Sequence, residues 1–168
     1  MKRKVLVTGA NGYVGRHVVK ALLDKGCEVI ASDFKFDGVD ERAQRNTTPI
    51  FSDEENLYEK LGSPDVVVHL AWRNGFVHNA DTHITDLPNH YNFIKKMVDA
   101  KLPQLVVMGT MHEVGYWEGA INGDTPTNPT SMYGIAKNTL REAAYLLTKG
   151  SKTQLQWLRA YYIMGDDL

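Results

Sequence analysis

Two side chains four residues apart, Tyr133 and Lys137, are the residues of this 168-residue chain best placed to do chemistry. On a helix that spacing sets a phenol and an ammonium one turn apart on one face. A phenol ordinarily loses its proton near pH ~10, too high for a base at neutral pH, but a neighbouring cation favours the phenolate. A hydroxyl upstream, Thr110, would hold the substrate oxygen that gains or loses the proton. Taken alone, a Tyr-x-x-x-Lys pair is equally an ordinary surface pair, so its meaning depends on what stands opposite it.

The start of the chain supplies that context. Thr8-Gly9-Ala10-Asn11-Gly12-Tyr13-Val14-Gly15 follows the apolar run Val5-Leu6-Val7 and precedes the helical pattern Val18, Val19, Leu22, Leu23. A strand, a glycine turn and a helix bring unpaired N–H groups and a positive dipole end over one spot, which suits a diphosphate. Gly9, Gly12 and Gly15 let the backbone approach it, with Asn11, Tyr13 and Val14 completing the turn. Val29-Ile30-Ala31-Ser32 reads as a second strand ending in Asp33, where a dinucleotide fold places the carboxylate for the adenosine ribose hydroxyls. That carboxylate repels a 2′-phosphate, so NAD is expected ahead of NADP; Arg16 and Lys35 lie near enough to offset the repulsion, and NADP is not excluded. A positive nicotinamide ring would add to the pull of Lys137 on the phenol, and hydride would pass between that ring and the carbon bearing the held oxygen.

The elements that must position these groups alternate. After the first strand, helix and strand, residues 34–48 read as a polar loop with at most a short helix, followed by a brief strand at Pro49 to Phe51 and an acidic helix start at Asp53-Glu54-Glu55. Val66-Val67-Val68-His69-Leu70 is continuous and β-branched, as a central parallel strand should be. Ile84, Leu87, Tyr91, Ile94 and Val98 step along one helix face, with Pro88 in its first turn or kinking it. Leu102 to Met108 is another buried strand. Thr130 or Ser131 caps a helix running to about Leu147 with Leu140, Ala144 and Leu147 inward, and a last strand runs from Leu155 to Ile163. Right-handed crossovers turn this order into an α/β doubly wound parallel sheet, a three-layer αβα Rossmann fold, in one domain over 1–168. Ligands of such sheets sit beyond the carboxyl ends of the strands, which points to the glycine turn, to His69-Leu70-Ala71-Trp72 and to Gly109-Thr110-Met111-His112.

Composition narrows the partners. A formal net charge of −1 gives no reason to expect a nucleic acid or an anionic membrane. The single Cys27 forms no internal disulfide, and no apolar run approaches a membrane span, so a cytoplasmic setting is expected. His78, His83 and His90 show no three-ligand spacing, and no metal site is expected. His69, ending a buried strand, reads as packed and hydrogen-bonded, and Trp117, Trp157 and Tyr161-Tyr162 as core and edge aromatics.

The set Thr8-Gly9-x-x-Gly12-x-x-Gly15, Asp33, His69-Leu70-Ala71, Thr110, Gly115, Tyr133-x-x-x-Lys137 and Leu158-Arg159 resembles the extended short-chain dehydrogenase/reductases, the nucleotide-sugar epimerases, dehydratases and reductases. The resemblance implies that Tyr133 is the acid/base, that Lys137 binds the nicotinamide ribose and lowers the tyrosine pKa, that Thr110 is the usual Ser or Thr, and that Leu70, Ala71 and Trp72 lie beside the cofactor. It also implies a nucleotide-sugar substrate, with a homodimer as a candidate assembly.

The departures from the family pattern narrow the reaction. In 4,6-dehydratases an Asp and a Glu follow the Thr directly; here Met111 and His112 stand there, which argues against a dehydratase, while His112 and Glu113 remain open to other proton chemistry. The helix asparagine of the family falls on Asp86, with Asn89 as the alternative. Trp72 replaces a small residue and either narrows the sugar site or fills a gap. Arg73 reads as a solvated loop charge. Family members continue past Gly165 into a smaller substrate domain, so the chain reads as a fragment. Reduction of a 4-keto-6-deoxy sugar and epimerisation at C4 both use the same three residues and stay open, as does a non-catalytic dinucleotide-binding module.

Overall fold

Six short runs, with Val or Ile in β1, β2, β4 and β5, pair in parallel in the order β3-β2-β1-β4-β5-β6 in the computed structural model, which describes residues 2–165. The strands are β1 (Lys4–Thr8), β2 (Glu28–Ser32), β3 (Gln44–Asn46), β4 (Val66–His69), β5 (Gln104–Thr110) and β6 (Gln154–Ala160). The helices are α1 (Tyr13–Asp24), α2 (Leu57–Lys60), α3 (Thr82–Thr85), α4 (Leu87–Asp99) and α5 (Met132–Thr148), and a 3₁₀ turn at Met111–Glu113 follows β5. Alternation along the strands sends neighbours to opposite faces. Leu6, Val67, Leu105 and Val107 pack with Leu57, Leu61, Phe93, Ile94, Met97 and Leu140 of α2, α4 and α5. Val5, Val7, Val29, Ala31, Val66 and Val106 pack with Val19 of α1. These two cores make the doubly wound sheet that the strand-helix alternation implies, and they set the ends of β1, β4 and β5 side by side.

Several boundaries differ from the sequence reading. The third strand lies at Gln44–Asn46, inside the stretch read as a loop, and not at Pro49 to Phe51. It is a polar edge strand against Ile30–Ser32, so burial writes no apolar pattern on it. The Asn46 side chain then accepts the Thr48 N–H at 2.9 Å and turns the chain away before Pro49. Asp53-Glu54-Glu55 precede α2 instead of opening it; the helix starts at Leu57, is anchored by buried Leu57 and Leu61, and Glu54 pairs with Lys60. The helix expected from Ile84 is broken at Asp86, with Pro88 in the first turn of α4, and Ile84 stands exposed on the separate turn α3. β5 runs on to Thr110, and β6 ends at Ala160. On β6, the sheet edge, Leu155 and Trp157 pack on the core while Leu158 is exposed, as are Tyr161 and Tyr162 beyond it.

Candidate active site

The glycine turn is shaped by close backbone approach. Gly9 has φ +67°, and a Cβ there would lie 2.8 Å from the Ala71 nitrogen; a Cβ at Gly15 would overlap the Gly9 carbonyl. Gly12 is the N-cap of α1 and has no side chain to satisfy the helix N–H groups, which leaves them for a ligand. Tyr13 and Val14 open the helix at this mouth, and Leu70 and Ala71 bind back to β1: the Leu70 N–H donates to the Thr8 carbonyl at 3.2 Å and the Ala71 N–H to the Thr8 hydroxyl at 3.3 Å. Asp33, just past β2, accepts the Asn11 N–H at 2.9 Å and the Phe34 N–H at 2.7 Å, and Asn11 Oδ1 accepts the Gly38 N–H at 2.9 Å. Each carboxylate oxygen keeps a lone pair, so Asp33 shapes the turn and still has capacity for a diol. The residues present therefore fit a dinucleotide.

Across the sheet end, α5 is fixed by its first turn. Ser131 accepts the Gly134 N–H at 3.1 Å, the His78 carbonyl accepts the Tyr133 N–H at 2.8 Å, and Asn79 Oδ1 accepts the Met132 N–H at 3.2 Å. Those bonds dock the loop after β4 onto the helix start. Tyr133 and Lys137 then face the core side of the sheet end, and the Lys137 Nζ sits 5.9 Å from the Tyr133 ring centroid. Burial pushes the Tyr133 phenol up; a hydrogen bond with the Thr110 side chain opposes it, and the Glu113 charge adds to the rise. Lys137 is itself 3% exposed, and burial pushes it down to about 7 against the pull of Glu113. Its Nζ donates to the Met108 carbonyl at 2.7 Å and stands 4.0 Å from the centroid of the Trp72 ring.

Several imidazoles that sequence reasoning left apart meet here. The rings of His83, His112 and His78 lie 5.1, 5.6 and 5.9 Å from Tyr133, and His78 lies 4.1 Å from His112. Three separate segments deliver them, and no spacing in the chain signals the convergence. His69 is buried as expected, bonded to the Thr8 hydroxyl at 2.8 Å and to His90 at 2.9 Å. No three His, Cys, Asp or Glu residues converge on a metal-sized site among the described residues.

Glu113 is not at the site. The 3₁₀ turn after β5 drives it into the interior at 0% exposure. There it accepts from the Thr110 N–H at 2.9 Å, the Trp157 indole at 3.0 Å and Arg159 at 3.2 Å. Arg73 is a solvent-exposed loop charge, as expected, and its Nε and Nη2 both bind Asp86, which takes up the carboxylate standing at the asparagine position, while Asn89 is exposed on α4.

A glycine turn after β1, a carboxylate just past β2, and Tyr133 and Lys137 of α5 set against Thr110 at the end of β5 are the features of a dinucleotide-binding Rossmann domain. The chain belongs to the NAD dependent epimerase/dehydratase family, whose pattern matches residues 5–167. It is 41% identical to the dTDP-6-deoxy-L-talose 4-dehydrogenase (NAD(+)) of Aggregatibacter actinomycetemcomitans over 97% of this chain and 62% of that protein. Its fold matches the UDP-glucose 4-epimerase of Thermotoga maritima solved with UDP-glucose (TM-score 0.77, 23% identity, 93% of this chain and 54% of that one). The UDP-glucose 4-epimerase of Thermus thermophilus solved with NAD matches equally (TM-score 0.77, 21% identity, 93% and 54%). The chain thus spans between half and two thirds of the length of these relatives. Among the described residues no helix is long and apolar enough to cross a membrane.

Proposed function

We propose that this chain, as one dinucleotide-binding domain, carries the cofactor site and the proton-transfer residues of an NAD-dependent oxidoreductase acting at C4 of a nucleotide-linked sugar. The observation that carries the reading is the proximity of Tyr133, Lys137 and Thr110 at the sheet end that also holds the glycine turn. The turn from Gly9 to Gly15 would hold the diphosphate, Asp33 the adenosine ribose, Leu70, Ala71 and Trp72 the wall beside the nicotinamide, and Lys137 its ribose. Two of the three ammonium protons remain beyond the bond to Met108. When bound, the nicotinamide supplies or takes the hydride at the sugar carbon.

Tyr133 gives its proton to the oxygen of a ketone, or takes it from the hydroxyl in the reverse direction, while the Thr110 hydroxyl holds that oxygen. A phenol pushed up by burial is protonated at neutral pH, which suits the reducing direction. The similarity to a 4-dehydrogenase of a 6-deoxy sugar favours net reduction of a 4-keto-6-deoxy sugar over epimerisation. Met111 and His112, in place of an acid pair after Thr110, weigh against dehydration.

The test follows the nicotinamide absorbance of NADH mixed with the full-length protein and a dTDP-4-keto-6-deoxy sugar. Stoichiometric loss of absorbance is expected. Interconversion of 4-epimers at constant absorbance would replace reductase by epimerase, and absence of both reactions with all nucleotide sugars tried would overturn the proposal.

A further inference from the structure

We infer that Trp72 is a positioning residue for Lys137, its indole face holding the buried ammonium beside Tyr133 where no carboxylate does so. Lys137 lies on the sheet side of α5 with its Nζ 4.0 Å from the Trp72 ring centroid. Among the described residues it makes no ion pair, and its one hydrogen bond is to the neutral Met108 carbonyl. A cation stripped of water without a counter-ion is costly, and an aromatic face within ~6 Å offsets part of that cost.

The indole is held as a built part of the site. Its Nε1 donates to His83 Nδ1 at 3.0 Å, its ring stacks on His90 at 4.2 Å and 21°, and its edge meets Tyr133 at 6.1 Å. His83 accepts from Trp72 at Nδ1, so its Nε2 carries the proton given to the Val77 carbonyl at 2.9 Å, and this ring is neutral. The ionisable groups around Lys137 are Tyr133 on its own helix, Glu113 on the turn after β5, His69 at the end of β4, His90 on α4 and His83 on α3. Burial pushes both His69 and His90 down, and the Lys137 charge adds to that in each case; only Glu113 pulls Lys137 up. The one carboxylate among these neighbours, Glu113, is engaged by Thr110, Trp157 and Arg159, so beyond the Met108 carbonyl the indole face is the favourable surface that the ammonium meets.

This gives Trp72 a role other than filling a gap, and the two roles predict opposite signs. A mere filler, once removed, lets water reach Lys137 and raises its pKa. A π platform, once removed, lowers it. The catalytic consequence rests on the proposed function above, but the test does not, because it needs neither substrate nor turnover.

The full-length protein carrying 13C-labelled lysine is titrated by NMR, with Lys137→Met identifying the resonance. The wild-type midpoint is expected near neutrality. Trp72→Leu, which keeps apolar cover without a π face, should drop the midpoint by about one pH unit, a roughly tenfold smaller charged fraction above it. Trp72→Phe, which keeps a π face and loses the bond to His83, should restore most of it. Should Trp72→Leu fail to fold, tryptophans fluorinated on the ring keep the shape and weaken the π face; the midpoint should fall with each added fluorine. A midpoint that rises in Trp72→Leu, is lowered equally in the Leu and Phe variants, or ignores fluorination would overturn the inference.

Discussion

Glu113 shows how much one residue's setting decides. Its carboxylate has no exposure, yet it holds the Thr110 N–H, the Trp157 indole and Arg159, and lies 3.7 Å from Arg141. Removing it would leave the Trp157 indole without its acceptor and Arg159 without its carboxylate, with only the Asn122 carbonyl at 3.4 Å remaining, and loosen the turn that sets Thr110. Glu113→Ala is therefore expected to destabilise the fold by about 3–5 kcal/mol in urea unfolding, the range for breaking a buried charged network. A loss below ~1 kcal/mol would show that water replaces the carboxylate. At this scale the sequence was partly readable. Tyr133, Lys137 and Thr110 stand together as their types and spacing imply, because a four-residue step on a helix is local geometry. The inward turn of Glu113 depends on a 3₁₀ turn and on a tryptophan and an arginine more than forty residues away, which no local pattern encodes.

Among the elements, α5 bears most on the proposed function, since its first turn sets Tyr133 and its second Lys137. Ser131 caps it by accepting the Gly134 N–H. Ser131→Ala should cost about 1 kcal/mol of stability. It should also weaken turnover more than cofactor affinity, as read from kcat and from calorimetry, because the fraying turn bears the phenol and not the glycine cradle. Equal loss in both would place the cap's effect on the whole fold. A cap at Thr130 or Ser131 was legible because a hydroxyl residue before an apolar helical pattern is a local signal, and the structure puts it on Ser131. The docking of His78 and Asn79 onto the same helix end was not legible, since a backbone carbonyl and one amide from a loop without periodicity supply it. The third strand was misplaced for a related reason. An edge strand of Gln, Arg and Asn buries too little to show an alternating pattern.

For the whole molecule, the alternation of strands and helices was enough to give the sheet, because parallel pairing and right-handed crossovers leave few other arrangements. Its stability has a readable pH dependence. Burial first, then the Lys137 charge, pushes His90 down to about 3, and burial pushes His69 well below its ordinary value. Unfolding lets both take protons at about pH 6.5, so the unfolded state binds more protons below that value and stability falls as pH drops from 6.5 toward 3. His90→Phe, which keeps a ring against Trp72 and Phe51, should make the acid limb of thermal unfolding shallower. An unchanged limb would assign acid sensitivity to other groups.

The proposed function depends on Tyr133 moving the proton in a site served by the cofactor bound at the opening turn. Turnover of Tyr133→Phe, set beside its calorimetric affinity for NAD, tests this most directly. NAD binding within about twofold of wild type and a rate lower by at least ~10²-fold, the scale of a positioned general acid, are expected. A variant that binds NAD and turns over at the wild-type rate would contradict it.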